Sequence, residues 1–278
     1  MSVPSRGVLL AAHGTPESLD EMAEYLRLVR GGRPPSPELV DEMRHNYASI
    51  GGRSPLTDIT RAQAEALGAE MGLPVLFGMR NWKPFLGDAL EQARAAGITE
   101  LVVVPMAPQY SSLSVARYRQ AVEAAQPAAM SLRFVDSWHA EPLLLEAFAE
   151  RVCAALEAGP VDAVVFTAHS LPRRAIEEGD PYAEQVKVTA MGVAERAGLS
   201  ESHQAWQSAG RTPEPWLGPS LEERVDELAA QGKKSVLVAP IGFVCDHTEV
   251  LYDIDVQAPD FARPAGSPTT SAPSAQRR

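Results

Sequence analysis

Short runs of apolar, largely β-branched residues recur along the chain: "GVLLAA" (7–12), "PVLFGM" (74–79), "LVVVPM" (101–106), "LRFVD" (132–136), "DAVVFT" (162–167) and "SVLVAPI" (235–241). Each is too short for a typical helix, and most are continuous rather than alternating in hydrophobicity, the pattern of a strand buried on both faces. Between them, apolar positions three and four apart predict amphipathic helices over 56–71, 85–96, 141–158 and 219–231. Strands separated by helices form βαβ units, so the sheets should be mainly parallel and the class α/β. A chain of 278 residues has room for two such sheets. We expect an N-terminal half over 1–145 and a C-terminal half over 146–261. The ending, "ARPAGSPTTSAPSAQRR" (262–278), is rich in Pro, Ser, Thr and Ala without apolar period, and is expected to be disordered.

The two halves echo one another. "VLLAAHGTP" (8–16) and "VVFTAHSLP" (164–172) share a strand, Ala, His, a small residue and Pro, while "VVVPMAP" (102–108) and "VLVAPIG" (236–242) match more loosely. Chance likeness of parallel strands and two related halves facing each other across a cleft both account for this.

Composition narrows the function classes. The hydrophobic fraction of 45% is that of a globular protein, and a net charge of −11 argues against nucleic acid or anionic membrane as a partner. No run approaches the ~20 apolar residues of a membrane span. The start, "MSVPSRGVLL", enters a strand directly, so no signal peptide is expected. Cys153 and Cys245 form no metal or redox spacing, which fits a reducing cytoplasm.

In open parallel sheets, ligands sit outside the carboxyl ends of the strands. His13 and His169 stand at such ends, and "GFVCDHTEVLYDID" (242–255) follows another. If strands 162–167 and 235–241 share a sheet, His169 and Glu249 could face one crevice. A strand-end histidine is also a common turn residue, and Asp246 with Glu249 fits a helix capping box. Cys245 reads as a packed thiol, His247 as a solvated helix-start residue, and Trp138 with His139 as cleft-lining or loop-wedging. One His with one carboxylate and open coordination positions suits a transiently held divalent metal better than a structural site. The imidazole can also accept protons near neutrality. Metal in and protons out is what inserting a metal into a tetrapyrrole requires. Arg27, Arg30, Arg33, Arg44 and Arg53 form a basic segment suited to carboxylates, or a solvated helix face. "APQYSSLSVARYR" (107–119) offers hydroxyls and aromatics for a flat ligand.

Taken together, "HGTP", "YASIGGRSPL", "APQYSSLSVARY", "TAHSLP", "WQSAGRTPEPWLGP" and "GFVCDHTEVLYDID" resemble the ferrochelatase family, most closely its soluble bacterial coproporphyrin III members, in register from about 7 to 257. The resemblance implies two similar Rossmann-like domains with parallel sheets facing a central cleft. It implies insertion of Fe²⁺ into coproporphyrin III to give coproheme, with no cofactor beyond substrate Fe²⁺ and no iron–sulfur cluster. A cytoplasmic monomer is expected, without nucleic-acid partner or integral membrane segment. By motif, His169 would be metal ligand and proton acceptor, Glu249 its carboxylate partner, and His13 an iron contact in the product. Arg30, Tyr47, Ser54 and Tyr118 would hold the macrocycle and its propionates. The sequence departs from the family at His13, often a tyrosine, at Asn46, where an arginine is common, and after Phe261, where the family's closing strand and helix are expected to be missing. Protoporphyrin IX as substrate, and a non-catalytic haem carrier using His13, are the competing readings.

Overall fold

The computed structural model describes residues 5–210 and 212–259 and, for the backbone alone, 269–271. Strands β1 (Arg6–Ala12), β2 (Val75–Met79), β3 (Glu100–Pro105) and β4 (Ser131–Phe134) form one parallel sheet in the order β2-β1-β3-β4. Strands β5 (Ala163–His169), β6 (His203–Gln207), β7 (Val236–Pro240) and β8 (Thr269–Ser271) form a second in the order β6-β5-β7-β8. The echo in the sequence is thus an echo in topology. The two histidine-bearing strands, β1 and β5, occupy equivalent inner positions, each flanked by the next two strands in sequence.

The helices are α1 (Met22–Val29), α2 (Pro37–Ser49), α3 (Leu56–Met71), α4 (Leu86–Ala95) and α5 (Val115–Ala124), then α6 (Pro142–Glu157), α7 (Arg173–Glu177), α8 (Tyr182–Arg196), α9 (Leu221–Ala230) and α10 (Thr248–Leu251). None of them is long and apolar enough to cross a membrane among the described residues. The run of apolar residues in β1 is explained by burial on both faces. Leu9 and Ala11 pack with Leu86, Leu90, Leu101 and Val103, whereas Val8 and Leu10 pack with Ala64 of α3. In the second sheet Val165, Val236 and Val238 pack under Val225 and Leu228 of α9. Helix α9 opens with a reciprocal capping box, Ser220 accepting from the Glu223 amide and the Glu223 carboxylate from that of Ser220.

Two compact units emerge: residues up to Ala107 with Ser112–Ser137, and Pro108–Ser111 with Trp138 onward. The division expected at 145 is corrected, because it would cut α6, which begins at Pro142. The crossing at Ser137/Trp138 has no linker composition to betray it. Pro108–Ser111 groups with the second unit because its polar groups are satisfied there. Buried Gln109 donates to Thr189 Oγ1 (3.1 Å) and to the Ile241 carbonyl (3.2 Å), and the Tyr110 amide donates to Gln185 Oε1 (2.7 Å).

Two strands differ from expectation. β6, "HQAWQ", is missed by a search for apolar runs because it is an edge strand with polar residues among its side chains. β8 corrects the reading of 262–278 as wholly disordered and without a closing strand: its backbone pairs in parallel with Val236–Val238. Composition averaged over seventeen residues hides a three-residue strand with two β-branched threonines, whose hydrogen bonds come from the edge of β7. The remainder of 262–278 lies outside the described residues. A chain ending at residue 268 should therefore melt a few degrees lower than the full chain, in a thermal scan followed by circular dichroism. An unchanged melting temperature would show that β8 adds nothing.

Candidate functional site

The order β6-β5-β7-β8 reverses between β5 and β7, whose chain connections leave in opposite directions across the sheet. Outside the carboxyl ends of such a strand pair lies a crevice that no connection covers. His169 is the last residue of β5, and the segment leaving β7 carries Glu249 in the short helix α10. The close approach depends on Gly242. A Cβ there would meet the Ala168 Cβ at 2.8 Å and its Cα at 3.0 Å, so only glycine lets the segment run along the end of β5.

His169 Nε2 and Glu249 Oε1 are 3.8 Å apart, with side chains 32% and 44% exposed. His169 Nδ1 lies 2.5 Å from the Ser170 carbonyl. A carbonyl only accepts, so Nδ1 carries the proton and, in the neutral ring, Nε2 is left with its lone pair. Nitrogen and carboxylate oxygen then face each other as two electron-pair donors, too far apart for a hydrogen bond. A cation about 2 Å from each fits between them. The backbone of His169 is held by the Tyr182 hydroxyl, which donates to its carbonyl at 3.0 Å. Burial, then the charges of Glu249 and Asp180, push the Tyr182 phenol well above its usual range, so it stays a donor. The turn after His169 is pinned by Ser170, whose amide donates to the Gln207 carbonyl (2.7 Å) and whose hydroxyl donates to that of Leu217 (2.9 Å).

The capping-box alternative for Glu249 is not what forms. His247, not Asp246, is the N-cap of α10, and its Nδ1 accepts from the Glu249 amide at 3.1 Å. His247 is a helix-start residue, as expected, but half-buried rather than fully solvated: burial lowers its pKa, and its ring packs edge-on against Phe243 at 4.7 Å. Cys245 is the packed thiol expected, with burial raising its pKa to about 12. A π-helical turn, Asp253–Gln257, follows α10, with the Gln257 amide reaching the Tyr252 carbonyl at 2.8 Å. It carries Asp253, whose pKa is raised to about 6 by burial against the lowering effect of the hydrogen bond from Ser208, with Glu249 raising it further. Ser208 adopts a positive φ of 58°, rare for a residue with a side chain. Sequence reasoning passed over Asp253, although its spacing of four from Glu249 was a signal that one helical face could carry both.

His13 follows β1 at the equivalent point of the first sheet. Its Nδ1 lies 3.1 Å from the Gly14 carbonyl and its Nε2 3.0 Å from Asn81 Nδ2. The proton is again on Nδ1, and the Nε2 lone pair accepts from the Asn81 amide. Gly14, at φ 93°, leaves room for the Trp82 amide, which a Cβ would meet at 2.8 Å. Tyr47 is buried among Met22, Tyr25, Leu26 and Trp82, and its hydroxyl bonds Thr15 Oγ1 at 2.8 Å, so α2 is tied to the loop of His13. Ser54 is buried at the start of α3, its hydroxyl accepting from the Leu56 amide (3.4 Å). Tyr118 belongs to a different cluster, under the Arg80 guanidinium. Arg30 is exposed at the end of α1. Of the basic segment, Arg27 pairs with Glu24, and Arg53 with Asp58. Within the second unit, then, the expected pair His169 and Glu249 is brought together. Within the first, His13 and Tyr47 share a neighbourhood that Tyr118 does not. No group of three or more His, Cys, Asp or Glu among the described residues could enclose a metal.

Comparison with known proteins identifies the family. The ferrochelatase family model matches residues 5–277, extending the motif likeness well beyond 257. A ferrochelatase of Deinococcus radiodurans is 44% identical, covering 94% of this chain and 87% of that protein. A coproporphyrin III ferrochelatase of Geobacillus thermodenitrificans is 37% identical, covering 96% and 89%. Among solved structures, SirB from Bacillus subtilis with Fe³⁺ superposes with a TM-score of 0.57 at 13% identity, over 98% of this chain and 88% of that one, a likeness of fold. The chain belongs to the ferrochelatase family.

Proposed function

We propose that this ferrochelatase inserts Fe²⁺ into coproporphyrin III to form coproheme, with His169 and Glu249 as the metal-handling pair. As a ferrochelatase its substrates are a porphyrin and iron. The observation that carries the residue assignment is the pair of lone-pair donors 3.8 Å apart at the reversal of strand order. Fe²⁺ entering the ring displaces two pyrrole N–H protons, and the iron stays ferrous, so no electron carrier is needed and no cofactor beyond substrate iron. His169 Nε2 first contacts the ion and, as the ion passes to the ring, takes a proton. Glu249 supplies the negative charge that draws the cation from water and stabilises the imidazolium. Both side chains keep contact with solvent, into which the protons are passed.

In this reading His13 contacts iron in the product, which requires Asn81 to release Nε2. Arg30, exposed, offers a bidentate fork to a propionate. Tyr47, Ser54 and Tyr118 complete the set proposed to hold the macrocycle and its propionates, although all three side chains are buried here. The four-propionate substrate is supported by relatives named coproporphyrin III ferrochelatase at 37–39% identity.

His169→Ala should lower iron insertion by at least about 100-fold, the scale of losing a positioned proton acceptor, while fluorescence quenching reports unchanged porphyrin affinity. Glu249→Gln should be similarly impaired; full activity in that variant would remove its carboxylate from the metal path.

Coproporphyrin III should exceed protoporphyrin IX in kcat/KM by roughly tenfold or more, since one charge-assisted hydrogen bond contributes about 1.5–3 kcal/mol. The reverse order in the same assay would assign the two-propionate substrate instead.

Asp253 makes stability fall as pH rises. Its pKa is higher folded than unfolded, so the folded state holds the proton more tightly between the unfolded value near 4 and the folded value of about 6. The stability its neutral form contributes at low pH is lost across that window. Asp253→Asn keeps an acceptor for Ser208 and should raise the melting temperature by a few degrees above pH 6 but not below pH 4. A gain that does not vary with pH would contradict this.

A further inference from the structure

Glu249 and His169 are 80 positions apart in sequence, and α10, the helix that carries Glu249, has only four residues. So short a helix cannot hold its own geometry in water. The Glu249 backbone is instead tied at both polar groups by side chains. Its amide donates to His247 Nδ1 (3.1 Å), and its carbonyl accepts from Gln207 Nε2 at 2.7 Å. Gln207 is the last residue of β6, in register with His169 on β5, and is 5% exposed. The other end of its amide, Oε1, accepts from the Thr167 hydroxyl at 2.7 Å. Thr167 is wholly buried and lies two residues before His169 on β5, where its own carbonyl takes the amides of Ile241 (2.9 Å) and Gly242 (3.3 Å) as the chain leaves β7.

The orientation of the Gln207 amide is dictated by chemistry. The Glu249 carbonyl can only accept, so the NH₂ end must face it, and the oxygen end must face Thr167, whose hydroxyl then donates. We infer that Gln207, locked by Thr167, is a positioning residue for metal insertion, fixing Glu249 at metal-binding distance from His169. One buried amide thereby joins the strand of the histidine to the helix of the carboxylate. This rests on the reading of His169 and Glu249 as the metal pair.

Replacing Gln207 with Met keeps a straight side chain of similar volume and removes both bonds. Loss of a group that orients a metal ligand lowers affinity or activity by roughly 10–100-fold. Gln207→Met should therefore raise KM for Fe²⁺ and weaken equilibrium binding of Co²⁺ alone by that factor, with KM for the porphyrin changed less than about twofold. Thr167→Val should act in the same direction. Thr167→Ser, which restores the hydroxyl, should recover most of the loss. The double variant Gln207→Met/Thr167→Val should be no worse than Gln207→Met, since two members of one chain are not additive. Wild-type Co²⁺ binding that His169→Ala abolishes, without iron insertion, would overturn the proposed reaction yet still test the positioning. Unchanged Co²⁺ affinity in Gln207→Met, multiplicative effects in the double variant, or Thr167→Ser as impaired as Thr167→Val would each overturn the inference. Should Gln207→Met fail to fold, the contrast between Val and Ser at 167 decides alone.

Discussion

With its imidazole neutral, His169 Nε2 faces Glu249 Oε1 as a second electron-pair donor 3.8 Å away, and the second unit holds the two in place. Strand order does the coarse work. Because connections leave β5 and β7 in opposite directions, the ends of these neighbouring strands are left uncovered, and His169 and the Glu249 segment emerge side by side. Close approach at Gly242 and the saturated amide of Gln207 set the final separation. The Glu249 amide and carbonyl are held by the uncharged partners His247 Nδ1 and Gln207 Nε2.

Burial sets the protonation of the groups around the pair. Tyr182 and Cys245 are held protonated by burial, and His247 is driven toward its neutral form. Asp253 is poised near pH 6 by the same desolvation, close enough for the Glu249 charge to be felt. The open, two-donor arrangement fits transient handling better than storage.

The first sheet repeats the topology but not the chemistry. His13 stands where His169 stands, with the same tautomer, yet its Nε2 is occupied by a neutral amide instead of facing a carboxylate. One strand plan thus presents two imidazoles of different availability. The difference lies in the segments that leave the neighbouring strands: Asn81 after β2 in one sheet, Glu249 after β7 in the other.

Hydrophobic runs alone located most of the strands and the histidines at their ends, because buried parallel strands are written as local apolar segments and a strand end is a local event. The helices at 56–71 and 141–158 were equally legible from their period. The polar edge strand β6 and the short β8 were not, since each is stabilised by the hydrogen-bonding edge of a partner distant in sequence. Whether Glu249 caps a helix or faces His169 could not be read locally either: an Asp three residues before a Glu satisfies both patterns. Only the order of strands, which brings residues 80 apart to 3.8 Å, chose between them. The displaced pKa of Asp253 and the clamp at Gln207 belong to the same class. Sequence determined which residues could do chemistry, since that depends on side-chain type and local pattern. Tertiary structure decided which of them meet, because desolvation and distance exist only once the chain has packed.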